Sequence, residues 1–215
     1  MPPDERPIPR FVAEPPQEAL PYGRWAETLG EHFLAECRDL ETDEDVGEPR
    51  EIVWFPDRTY AGRTFVPATA ATSTGYELFG YVSFVREDEG AEATDFFSTV
   101  DYTDETAEAN PHWRLDISEE EIGAWRGPQG RRGEITLVWG VALEHKGIAV
   151  TAELGPTTTD QCALIDERFT LVSLDAYTGD YIEVVLWGTD GREIAAESLY
   201  ADDEDDEEGP DSSDG

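Results

Sequence analysis

Residues 134–144 (EITLVWGVALE) and 147–154 (GIAVTAEL) are two apolar, β-branched runs that flank a turn at His145-Lys146-Gly147. A link this short joins antiparallel neighbours, and Val, Ile, Thr and Trp favour a pleated, half-buried surface. The same pattern recurs on both sides. Residues 181–187 (YIEVVLW) and 192–199 flank Gly188-Thr189-Asp190-Gly191, a strong hairpin signal. Residues 162–175 read as a further strand. Upstream, residues 51–55, 63–66 and 76–86 (YELFGYVSFVR) read as strands, with 94–102 returning as an antiparallel partner and 112–117 as a short candidate. Gly80, inside the longest of these, reads as a bulge or bend.

Two segments depart from this period-two pattern. Tyr22, Trp25, Ala26, Leu29, Phe33, Cys37 and Leu40 recur at steps of three and four, which predicts a helix over residues 19–40. Ser118-Glu119-Glu120-Glu121 has the form of a capping box, which predicts a short helix through Ile122 and Trp125. The expected class is α+β, mainly β: an antiparallel two-layer sandwich or partly open barrel, with one N-terminal helix packed on it. Residues 1–16, with five prolines, read as an extended lead-in. Residues 17–200 read as a single globular domain, and 201–215 as a disordered acidic tail.

Charge bounds the environment. The 215 residues carry 50 Asp and Glu against 15 Lys and Arg, a formal net charge of −35. The tail alone holds nine carboxylates, yet the first 200 residues still hold 41 acids against the same 15 bases. Self-repulsion on this scale opposes a compact state, and roughly molar salt, with a Debye length of about 3 Å, suppresses it. Fourteen arginines against a single lysine, Lys146, point the same way, because Arg pairs more readily than strongly hydrated Lys. The composition therefore predicts a salt-adapted protein. No apolar run approaches the roughly 20 residues of a membrane span, and residues 1–6 lack the pattern of a signal peptide, so a cytoplasmic location is expected. Cys37 and Cys162 read as reduced packing residues.

Chemistry-bearing patterns are sparse. His32, His112 and His145 share no metal-ligand spacing with one another or with the cysteines. No G-x-S-x-G, Walker or dinucleotide fingerprint occurs. No catalytic residue, metal or cofactor is therefore assigned. The remaining candidates are Arg126, Arg131 and Arg132, gathered in RGPQGRRG, and Trp113 and Trp125, which flank the expected short helix. Arginine offers a fork matched to carboxylate and phosphate, whereas neutralisation of nearby acids is its blander role. Nucleic acid is disfavoured because no basic stripe replaces phosphate counterions, although an aromatic sheet surface suits a single strand. The sequence thus points to a non-catalytic protein-interaction module, binding an unknown protein or itself. A barrel-like pocket for a small anionic molecule is the alternative.

Overall fold

The computed structural model describes residues 20–87, 91–127 and 130–199. The lead-in expected over residues 1–16 and the tail over 201–215 lie outside the described residues.

One helix and three antiparallel sheets form the body. Helix α1 (Gly23–Asp39) has Leu29 and Phe33 fully buried on its apolar face, and Arg38 in the last turn complements the helix dipole. Tyr22, grouped with that face by spacing, is instead the exposed residue before the first turn. The first sheet contains β1 (Val53–Trp54), β2 (Arg58–Tyr60), β3 (Arg63–Ala71), β4 (Glu77–Val85) and β5 (Thr94–Thr103), in the order β1-β3-β4-β5 with β2 also on β3. Alternation splits its two faces. Val66, Ala68, Ala70, Leu78, Val82 and Phe84 meet the helix, whereas Phe65 and Tyr81 face the middle sheet.

The middle sheet contains β6 (Leu115–Arg126), β7 (Arg132–Ala142) and β10 (Arg168–Asp175), in the order β10-β7-β6. The third contains β8 (Gly147–Leu154), β9 (Thr157–Ala163), β11 (Ile182–Gly188) and β12 (Glu193–Ser198), in the order β12-β11-β8-β9. Strand β7 is buried on both faces. Ile135, Leu137 and Trp139 pack towards the first sheet, while Val138 and Ala142 pack with Val150, Ile182, Val184 and Leu186 of the third. This explains why residues 134–144 read as a continuous apolar run. Each large apolar side chain so buried contributes about 1.5–3 kcal/mol. The mainly β, antiparallel class is as expected, with sheets sandwiched face to face; three sheets give two such interfaces, and none closes into a barrel.

Three local expectations are corrected. Residues 118–125 form no helix but belong to β6, where Ser118, Glu119, Glu120 and Glu121 pair with Trp139, Val138, Leu137 and Thr136. A helix N-cap contributes about 1 kcal/mol, and a full-length ladder on a buried strand outweighs it. The register shifts between Glu121 and Gly123, a bulge that places Ile122 against the core. Residues 162–175 are two strands in different sheets, because Asp166 and Glu167 adopt left-handed backbone (φ +50° and +66°) and turn the chain. Gly80 marks no bulge; β4 and β5 stay in register there, and a Cβ on it would lie 2.0 Å from the Thr99 carbonyl oxygen.

The outer edge of β10 is closed by an ion pair from the two flanking sheets. Arg58 of β2 donates from Nε to the Thr170 carbonyl at 3.1 Å, and the Val172 N–H donates to Asp160 of β9 at 2.9 Å. Arg58 and Asp160 bond to each other with their side chains 2% and 3% exposed. Burial pushes the Asp160 carboxyl up, and Arg58 with the Val172 and Gln161 N–H groups offsets only part of that rise.

Candidate docking site

Hairpin β6–β7 decides where the expected site residues lie. Arg126 and Arg132 are direct cross-strand partners, and the Gly127 N–H donates to the Arg131 carbonyl at 2.9 Å. Gly130 adopts φ +76°, a left-handed turn conformation suited to glycine. All three arginines are thereby gathered at one tip, each exposed. Strand alternation sends Arg126 and Arg132 from the face of the middle sheet that meets the third sheet.

What distinguishes them is that three cations share one hairpin tip. Like charges directly opposite in a ladder destabilise it. Among the described residues, Arg58 pairs with Asp160, Arg63 with Asp95, Arg114 with Glu144 and Arg192 with Asp190, and Arg86 lies over the Trp25 and Phe84 rings, whereas Arg24, Arg38, Arg50, Lys146 and Arg168 have no carboxylate within 4.0 Å. Among the described residues, no carboxylate lies within 4.0 Å of Arg126, Arg131 or Arg132. Direct neutralisation of local acids, the blander role, is absent at contact distance there.

The tryptophans do not join them. Trp125 lies on the opposite face of the hairpin, its ring edge-on to Tyr177 at 4.6 Å. Trp113 precedes the other end of β6, and ten residue steps along the strand separate Leu115 from Trp125 by about 33 Å. It lines a surface cleft of about 230 Å³ with Glu77, Phe79, Thr103, Asp116 and Glu119. In that cleft burial and the charge of Asp116 push the Glu77 carboxyl up to about 7, and burial also raises Asp116. These acids suit proton sharing and disfavour an anionic ligand. An acid opening a strand of apolar residues, as in Tyr76-Glu77-Leu78-Phe79, is the only sequence trace of this cleft.

Among the described residues, no group of three or more His, Cys, Asp or Glu could hold a metal ion. Burial pushes the Cys37 thiol up to about 11 and the Cys162 thiol up to about 12, which suppresses the nucleophilic thiolate. His32 stacks on Phe96 at 4.3 Å, and His145 contacts Glu167. No described helix is long and apolar enough to cross a membrane. Comparison with family models, with curated proteins and with solved structures finds no match to this chain.

Proposed function

We propose that this chain is a non-catalytic cytoplasmic protein-interaction module of a salt-adapted cell, which docks an acidic segment of a partner protein on Arg126, Arg131 and Arg132. One observation carries the reading: in a chain with 50 carboxylates, three exposed arginines gather at a hairpin tip without an ion partner among the described residues. Guanidinium groups bind carboxylates through paired hydrogen bonds as well as charge. Short-range contacts of that kind persist when salt has screened the long-range field. The tip projects outward, whereas a small-molecule site encloses most of its ligand. An extended acidic segment therefore fits it better than a small anion.

The test is capture from native high-salt lysate by the full chain and by the Arg126→Ser/Arg131→Ser/Arg132→Ser variant. A partner retained by the parent chain and lost by the triple variant is the expected result. Equal capture by both, or a clean monomer with no partner in light scattering, overturns the proposal.

A further inference from the structure

We infer that the acidic segment docked by the arginine tip is residues 116–121 of a second copy of this chain, the two copies pairing antiparallel along their β6 edges; the inference rests on the docking site proposed above. The strand itself supports it first. In the order β10-β7-β6, β6 is the outer strand of its sheet, and among the described residues it ladders only with β7. Such an edge offers a row of unpaired N–H and C=O groups to another strand. Its first half, Asp116 to Glu121, holds four carboxylates, and its last residue is Arg126. Antiparallel pairing of two such strands sets the acidic half of each against the basic end of the other. The assembly this makes is a two-fold dimer, the commonest closed oligomer.

The β6 bulge supports it second. Glu119 pairs with Val138 and Arg126 with Arg132, and these partners share the face of β7 that meets the third sheet. Regular alternation would send Glu119 and Arg126 to opposite faces; the extra residue between Glu121 and Gly123 brings them to the same one. Arg126 of each copy can therefore stand opposite Glu119 of the other, with Ala124 opposite Glu121 and Trp125 opposite Glu120, and both members of every pair share a face. Arg132 lies on that same face, one strand further in. A slip of one residue loses the match. Charge supports it third. Among the described residues, no Lys or Arg lies within 4.0 Å of Asp116, Glu119, Glu120 or Glu121. Burial, then the charges of Asp175, Glu134 and Glu120, pushes the Glu119 carboxyl up to about 7, and an opposing guanidinium relieves that repulsion. Glu119 and Arg126 lie about 23 Å apart along one strand, so they meet only between copies. Molar salt screens the mutual repulsion of two chains of net charge −35.

Sedimentation equilibrium of the full chain in molar KCl tests this. The parent chain is expected to show a monomer–dimer equilibrium with a limiting mass twice 23.9 kDa. Arg126→Glu and Glu119→Arg each set like charges opposite at both contacts, and each is expected to weaken dimerisation about tenfold or more. Mixing the two variants restores opposite charges at both contacts and is expected to return the dimer. The double variant Arg126→Glu/Glu119→Arg, which has the parent's net charge, is expected to dimerise on its own. Neither rescue is open to a variant that merely misfolds. A parent chain that stays monomeric at about 1 mM, single variants that dimerise like the parent, or a mixture that stays monomeric overturns the inference. A monomeric parent whose binding of a labelled decaglutamate peptide still needs Arg126, Arg131 and Arg132 removes only the second copy as partner. Peptide binding indifferent to those arginines removes the docking reading itself.

Discussion

Replacing Arg58 by methionine removes one half of a buried ion pair and keeps most of the side-chain volume. Arg58 Nε donates to the Thr170 carbonyl at 3.1 Å, Nη2 donates to the Gln161 carbonyl at 3.2 Å, and the same guanidinium binds the Asp160 carboxylate. With the two side chains 2% and 3% exposed, water cannot take over these roles. Removing one partner of such a pair costs about 3–5 kcal/mol, chiefly because the remaining charge stays buried and uncompensated. For a domain of this size that lowers Tm by about 6–20 °C. Urea unfolding at fixed molar KCl reads the difference. The double variant Arg58→Met/Asp160→Asn is expected to regain about 2 kcal/mol, because the Asn side-chain oxygen still accepts from the Val172 N–H and no charge is stranded. Without Arg58, burial holds the Asp160 carboxyl above its unfolded value. Folding then favours the protonated form, so the deficit of Arg58→Met shrinks as pH falls towards about 4. A loss under about 1 kcal/mol, or a double variant no more stable than the single, refutes the reasoning.

Other expectations follow from the same structure. Glu77 binds its proton more tightly when folded, so its contribution is most favourable below its unfolded value and declines as pH rises through about 7. Glu77→Gln is therefore expected to gain on the order of 1 kcal/mol at pH 8, discounted for partial exposure, and little at pH 5; an equal effect at both pH values contradicts this. Gly140→Ala places a Cβ 2.1 Å from the Asp116 carbonyl oxygen, inside the β6–β7 ladder, and is expected to cost about 2 kcal/mol or more in denaturant unfolding. Melting at 0.1 M and at several molar KCl tests salt adaptation: Tm is expected to rise as screening relieves the −35 charge, and a Tm independent of salt removes that reading.

Period and turn chemistry made much of the fold legible. The Leu29 and Phe33 steps gave α1, and the Gly188–Gly191 turn gave β11–β12. What escaped was non-local. Ser118 to Glu121 carry a helix signal that only their pairing with β7 overrules. Asp166 and Glu167 turn the chain without the glycine or proline that would announce it. Arg58 and Asp160 stand 102 residues apart, with no local motif to join them. At the candidate site, the clustering of Arg126, Arg131 and Arg132 was visible in RGPQGRRG. Their lack of carboxylate partners among the described residues was not, because it depends on where β10 and the third sheet place their acids. Trp125 was grouped with Trp113 only through a helix that does not form.

The most direct test of the docking claim compares two full-length triple variants of equal net charge in molar KCl, using fluorescence anisotropy of a labelled decaglutamate peptide. One carries Arg126→Ser/Arg131→Ser/Arg132→Ser, the other Arg24→Ser/Arg38→Ser/Arg192→Ser. The account expects the first to bind about tenfold more weakly than the parent chain and the second to bind like it. Equal weakening in both, which net charge alone would produce, or no weakening in either, contradicts the account.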